Sequence, residues 1–252
     1  MHPVRRPTRR EQPLRTRTAA TLALAVALAV LTTALAALAV APASAPASHP
    51  DPVPPCPQDS QAEAPDYDGD CRADFAVFRP SEGNWYVLRN SGGTLGGPFG
   101  QKGDIPLRGD YDGDAKTDFA VFRPSEGVWY VLHSSNRSQR SEQWGQNGDI
   151  PLSGDYDGDA KTDFAVFRPS TGFWHVYHAN NAERHEQFGQ DGDAPVPGDY
   201  DGDRKTDIAV WRPSGGVWHE RYSSNGSHQQ QQWGQEGDVP VACRKKGDHC
   251  MR

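Results

Sequence analysis

The string Asp-Tyr-Asp-Gly-Asp begins at Asp66, Asp110, Asp155 and Asp199, so successive copies stand 44, 45 and 44 residues apart. A fixed period of this size marks one supersecondary unit repeated, a unit that buries its apolar face only by stacking on its neighbours. The flanking sequence recurs in register. Each loop is followed by an apolar run ending in Arg-Pro: Phe75 to Pro80, Phe119 to Pro124, Phe164 to Pro169 and Ile208 to Pro213. A Ser-x-Gly turn follows, ending at Gly83, Gly127, Gly172 and Gly216. Trp85-Tyr86, Trp129-Tyr130, Trp174-His175 and Trp218-His219 come next, and an aromatic-Gly-Gln segment at Phe99, Trp144, Phe188 and Trp233 closes the unit.

These segments read as strands. Phe119 to Arg123 is aromatic, β-branched or small, with no helical period. Pro124 ends the strand because it lacks an N–H, and Gly127 tolerates a positive φ. Val128 to His133 returns as the hairpin partner, with shorter strands at Gln143 to Gln146 and Ile150 to Leu152. Four short strands in about 44 residues is the size of a propeller blade. The expected fold is therefore all-β, a β-propeller of four blades over residues 66–243. The first unit has no Gly-Asp-x-Pro strand before its loop, whereas Gly237 to Val241 is such a strand with no loop after it. Joining the C-terminal strand to the first blade would complete the ring and remove its open edges. An open four-unit array that dimerises into a larger ring is the alternative; a monomer is expected.

Residues 1–45 read as a signal peptide. Arg5, Arg6, Arg9, Arg10, Arg15 and Arg17 form a basic region, Ala19 to Val40 an apolar run, and Ala41, Ala43, Ala45 and Ala47 offer cleavage positions. An uncleaved membrane anchor is the competing reading. A Pro-rich lead-in covers 46–65 and a tail covers 244–252. Leaving out 1–45 removes six Arg and Glu11 and moves the net charge from −7 to −12, which argues against a nucleic-acid partner. Cys56, Cys71, Cys243 and Cys250 in an exported chain suggest two disulfides, of unassigned pairing. A zinc site with His249 is the weaker reading, since the spacing fits no zinc pattern.

Each loop reads D-x-D-G-D-x-x-x-D, the alternation that turns carboxylates inward on an oxygen-seeking cation. The ligand sets are Asp66, Asp68, Asp70 and Asp74; Asp110, Asp112, Asp114 and Asp118; Asp155, Asp157, Asp159 and Asp163; and Asp199, Asp201, Asp203 and Asp207. Backbone carbonyls of Arg72, Lys116, Lys161 and Lys205 stand at position 7. Carboxylates about 5 Å apart repel by about 3 kcal/mol per pair at an effective dielectric near 20. A bound cation relieves that repulsion. Four calcium ions would bring the charge of the part after residue 45 from −12 to −4. Magnesium prefers rigid, water-rich sites, and zinc wants His or Cys, which the loops lack apart from Cys71.

These loops, with Phe99-Gly100, Phe188-Gly189 and Gly192 to Pro195, resemble FG-GAP/VCBS repeats, the calcium-bearing propeller repeats of integrin α-subunit heads and bacterial secreted proteins. The resemblance spans Asp66 to about Val241 and implies that the Asp quartets are calcium ligands and the aromatic strands blade core. Position 6, often Gly in that family, is Cys71, Ala115, Ala160 and Arg204 here, and integrin heads carry seven blades where this chain has four repeats.

The expected role is a secreted, non-catalytic extracellular interaction or adhesion module with structural calcium, bound to a protein or a glycan. A lectin is the alternative and a secreted hydrolase a more distant one; no catalytic motif is present. The repeated Trp85, Trp129, Trp174 and Trp218 read as packing between blades, which leaves Tyr86, Tyr130, His175 and His219 on the opposite face as ligand candidates. His133, His178, His185 and His228 read as unrepeated surface residues, and Gln229 to Gln232 as a polar loop. Arg79, Arg123, Arg168 and Arg212 are expected to pair with Asp104, Asp149, Asp193 and Asp238.

Overall fold

A computed structural model describes residues 65–241. The expected signal peptide, the lead-in up to residue 64, Cys56, Cys243, Cys250 and the tail lie outside the described residues. The described part is all-β, with 15 strands and no helix among them.

The strands form four antiparallel sheets. The first holds β1 (Phe75–Arg79), β2 (Asn84–Leu88) and β3 (Thr94–Pro98). The second holds β4 (Ile105–Gly109), β5 (Asp118–Arg123), β6 (Val128–Leu132) and β7 (Gln139–Gln143); the third holds β8 (Ile150–Gly154), β9 (Asp163–Arg168), β10 (Phe173–Tyr177) and β11 (Glu183–Gln187). The fourth holds β12 (Ala194–Pro195), β13 (Ile208–Arg212), β14 (Val217–Arg221) and β15 (His228–Gln232). Each sheet is a meander whose strands pair in chain order, the connection that short turns permit.

Three sequence expectations need correction. The outermost strand is the polar run before the aromatic-Gly segment, Gln139–Gln143 in the second sheet, and not Gln143 to Gln146. Gln229 to Gln232 accordingly belongs to β15 rather than to a loop. An edge strand with solvent on one side needs no apolar face, so its composition hid it. The Gly-Asp-x-Pro strand opens the next sheet, since Ile105 pairs with Phe122 and Leu107 with Ala120. The first sheet consequently has three strands, and Gly237 to Val241 forms no strand among the described residues.

Alternation within each central strand explains the core. In β5, Phe119 and Val121 face the first sheet, where they join Tyr67, Trp85 and Val87. Ala120 and Phe122 face the third sheet and pack with Trp129, Val131, Phe164 and Val166. The pattern recurs one sheet on, with Phe167 and Trp174 against Ile208 and Val210. Both faces of an inner sheet are therefore apolar, and Trp129 and Trp174 are fully buried, in keeping with their reading as packing residues. Their indole N–H groups donate to the carbonyls of Trp144 and Phe188, which removes the polar cost of burying them.

The Ser-x-Gly turn is backbone-limited. Gly127 stands at φ 67°, and a Cβ there would lie 2.3 Å from the Gly145 carbonyl oxygen. Only Gly fits such a site.

Candidate metal centre

Each Asp loop is wound around its own first carboxylate. In the second repeat, Asp110 Oδ1 accepts from the N–H groups of Gly113 and Asp114, and Oδ2 from that of Ala115. Asp112 Oδ1 accepts from Asp114 N–H, and Asp114 Oδ1 from Lys116 N–H. The other three loops repeat this winding with small variations. Position 6 must turn left-handed for the chain to wrap: Cys71, Ala115, Ala160 and Arg204 stand at φ 65°, 66°, 65° and 71°. Cys71 also takes part in a disulfide, whose other half lies outside the described residues.

Carboxylate oxygens at positions 1, 3 and 5 converge. In Asp66, Asp68 and Asp70, in Asp110, Asp112 and Asp114, and in Asp155, Asp157 and Asp159, one oxygen from each residue lies within 4.8 Å of the others. Position 9 converges too, Asp118 with Asp112 and His133 and Asp163 with Asp157 and His178, each group with ligand atoms within 4.8 Å, and it is anchored as well. Asp118 is buried, its Oδ2 accepting from Tyr111 N–H and its Oδ1 from Ser134 N–H. Asp74, Asp163 and Asp207 are held by the corresponding donors. Position 9 thus fastens the loop to the turn after the second central strand. Arg72, Lys116, Lys161 and Lys205 each donate an N–H to the position-5 carboxylate.

That turn was not anticipated. Ser91, Ser135, Asn180 and Ser224 each donate to Oδ2 of the position-3 Asp, at Asp68, Asp112, Asp157 and Asp201. A hydroxyl or amide 23 residues after each position-3 Asp was the available signal. His133 and His178 were misread as well. They occupy one register, directly after β6 and β10, and are largely enclosed rather than on the surface. His133 Nδ1 lies 3.4 Å from Asp118 Oδ2, and His178 Nδ1 lies 2.9 Å from Asp163 Oδ2. Two of the loops therefore have an imidazole beside them. Arg89 and Tyr222 stand at that register in the other two repeats, so it is no part of the common design.

Burial and mutual repulsion show in the acidities. Burial, opposed by the Gly113 and Ala115 N–H groups and reinforced by the charges of Asp118 and Asp114, pushes Asp110 up to about 6. Burial likewise pushes Asp163 up to about 6 against the pull of His178, and raises Asp118, Asp155 and Asp207. Asp201 is held below its usual range by the Ser224 hydroxyl. The donor set is oxygen-only at positions 1, 3 and 5, which suits a hard cation such as calcium.

The ligand candidates are engaged within the chain, Tyr86 on the uncovered face of the first sheet. Arg79 and Arg123 lie 4.3 Å over the rings of Tyr86 and Tyr130, whose hydroxyls donate to Glu82 and Glu126. His175 pairs with His185 at 2.8 Å and His219 with His228 at 3.3 Å. The Arg–Asp ties exist with a shifted partner. Arg123 forks onto Asp104, Arg168 onto Asp149 and Arg212 onto Asp193. Because the Gly-Asp-x-Pro strand opens the next sheet, each Asp serves the Arg that follows it.

No family model and no curated protein matches the chain. Among solved structures it is similar to a streptogramin B lyase, at 12% identity over 68% of this chain and 53% of that one, with a TM-score of 0.46. It is also similar to virginiamycin B lyase from Staphylococcus aureus, at 7% identity over 64% and 52%, with a TM-score of 0.46. The chain spans about half the length of these structures. The expectation that the chain is no enzyme is corrected by this finding: these two solved structures are lyases. At such identity the likeness assigns no activity in return.

Proposed function

We propose that this chain is an exported calcium-binding repeat protein of the FG-GAP/VCBS kind, its four sheets being blades of a propeller and its Asp loops binding one calcium ion each. The reading rests on a single observation: one loop, with one winding and one set of convergent carboxylates, built repeatedly at the same place on successive sheets. Three carboxylates with oxygens within 4.8 Å repel by about 3 kcal/mol per pair, a cost that a bound cation would relieve. Asp at positions 1, 3 and 5, with the position-7 carbonyls of Arg72, Lys116, Lys161 and Lys205, would hold the ion. Position 9 would orient the loop around it. Calcium would thereby tie loop to sheet and support a thin core, serving an extracellular interaction module.

Isothermal titration calorimetry of the full chain with calcium tests this. Up to four ions are expected to bind, and Asp112→Asn should remove one. Absence of bound metal by native mass spectrometry at millimolar calcium would defeat the reading.

A further inference from the structure

The three joints between consecutive sheets are built alike. Thr117, Thr162 and Thr206 donate their N–H groups to the carbonyls of Asp66, Asp110 and Asp155 at 2.6, 2.7 and 2.6 Å. Lys116, Lys161 and Lys205 each cross the position-4 Gly of the preceding loop, with Cε 2.8 Å from where a Cβ would stand in all three. Equal contacts mean equal rotations. Were each rotation a quarter turn, a fourth joint would form within the chain, between the fourth sheet and the first.

It does not form. Phe75, Val77 and Leu88 on the first sheet are 73, 62 and 54% exposed, whereas Phe119, Val121 and Leu132 at the same registers of the second sheet are 4, 0 and 8% exposed. At the other end Trp233 is 76% exposed, and Trp218 is only partly buried where Trp129 and Trp174 are wholly so. The outer faces of the first and fourth sheets are thus left uncovered, as they would be if each rotation fell short of a quarter turn.

The two ends are complementary halves of one joint. Arg79 lacks the Asp that its three counterparts grip and lies on Glu82 and Tyr86 instead. Asp238 accepts from Gln235 N–H at 3.0 Å, as Asp104 does from Gln101 at 2.9 Å, but among the described residues no Arg forks onto it. The first sheet lacks its opening strand, and 237–241 is an opening strand without a sheet. Trp144, the counterpart of Trp233, donates to the His175 carbonyl and stacks on Tyr177 and His185 of the next sheet. On the first sheet those three registers are Tyr86, Leu88 and Gly96, which line a groove of about 660 Å³.

We propose that a second copy of this chain completes the ring. Residues 237–241 of each copy add to β1 of the other as its missing strand, with Val239 opposite Phe78 and Val241 opposite Ala76, the register of Ile105 and Leu107 on β5. Asp238 forks onto Arg79, and Trp233 enters the groove beside Gly96. The two seams are related by a two-fold axis, so the opening edge of each first sheet is paired.

Sedimentation velocity of the full chain in calcium tests this, with a mass of two chains expected. Arg79→Glu and Asp238→Arg should each raise the dimer dissociation constant about tenfold or more, and the double exchange should restore the dimer. Trp233→Ala, which removes an exposed side chain without disturbing its own sheet, should weaken the dimer too and keeps the test open if a charge variant fails to fold. A wild type with the mass of one chain at all concentrations, an open series of growing masses, or a double exchange no better than its parts would overturn the proposal.

Discussion

Ala115 and Ala160 hold a left-handed backbone, at φ 66° and 65°, that costs an L residue about 1–2 kcal/mol. Glycine removes that cost but loses more entropy on folding, by about 0.4–1 kcal/mol. Ala115→Gly is therefore expected to stabilise the chain by about 0.5 kcal/mol, read from the urea midpoint, and to leave its calcium stoichiometry intact. The Arg–Asp fork carries more. Asp104 is buried and the Arg123 side chain only 15% exposed, so Arg123→Ala strands a carboxylate in the interior. A loss of about 3 kcal/mol is expected, with calcium affinity unchanged in calorimetry. A calcium defect at normal stability would show instead that the fork belongs to the ion site.

At the scale of the element, the Asp loop was legible because its chemistry lies in consecutive residues. Positions 1, 3 and 5 converge as the spacing requires, and the strained position 6 follows from a missing Gly. Position 9 was read as a fourth ligand, and its oxygens also accept from the Tyr111 and Ser134 N–H groups. One of those donors comes from a turn 16 residues away, which no local pattern announces. The polar edge strands escaped notice because alternation marks only strands with a buried face. His133 escaped because two repeats carry Arg89 and Tyr222 in its place.

The loops also set a pH dependence. Asp110 and Asp163 titrate near 6 in the fold, above their unfolded value, so their contribution to the stability of the metal-free chain is complete below about 4. It is lost as pH rises through 6. On the proposed function calcium competes with the proton on Asp110 and, through the loop that Asp163 orients, opposes protonation there, so its effect runs the other way. The gap in melting temperature between calcium and chelator is therefore expected to be wide at pH 7.5 and narrow at pH 5. A gap independent of pH would separate these carboxylates from the ion.

In the whole molecule, equal joints make the two end sheets the informative ones. The repeat predicted a ring, and the burial of Phe119 against the exposure of Phe75 marks the face of the first sheet that the proposed second copy would cover. The number of sheets per turn was not legible, because rotation depends on side-chain contacts such as Lys161 on Gly113 that no motif encodes. Glu220 bears on how firmly the ends join. It stands where the earlier sheets place Val87, Val131 and Val176, all buried, and burial already raises its carboxyl above the ordinary range. A charge at that register opposes a dry seam while keeping the free end soluble. Glu220→Val exchanges that desolvation cost for apolar burial of about 1.5 kcal/mol or more. The dimer is therefore expected to tighten about tenfold in sedimentation equilibrium. If Glu220→Val leaves association unchanged while Trp233→Ala abolishes it, the seam runs along the outer strands and the added β1 strand alone, with the far face of the fourth sheet outside it.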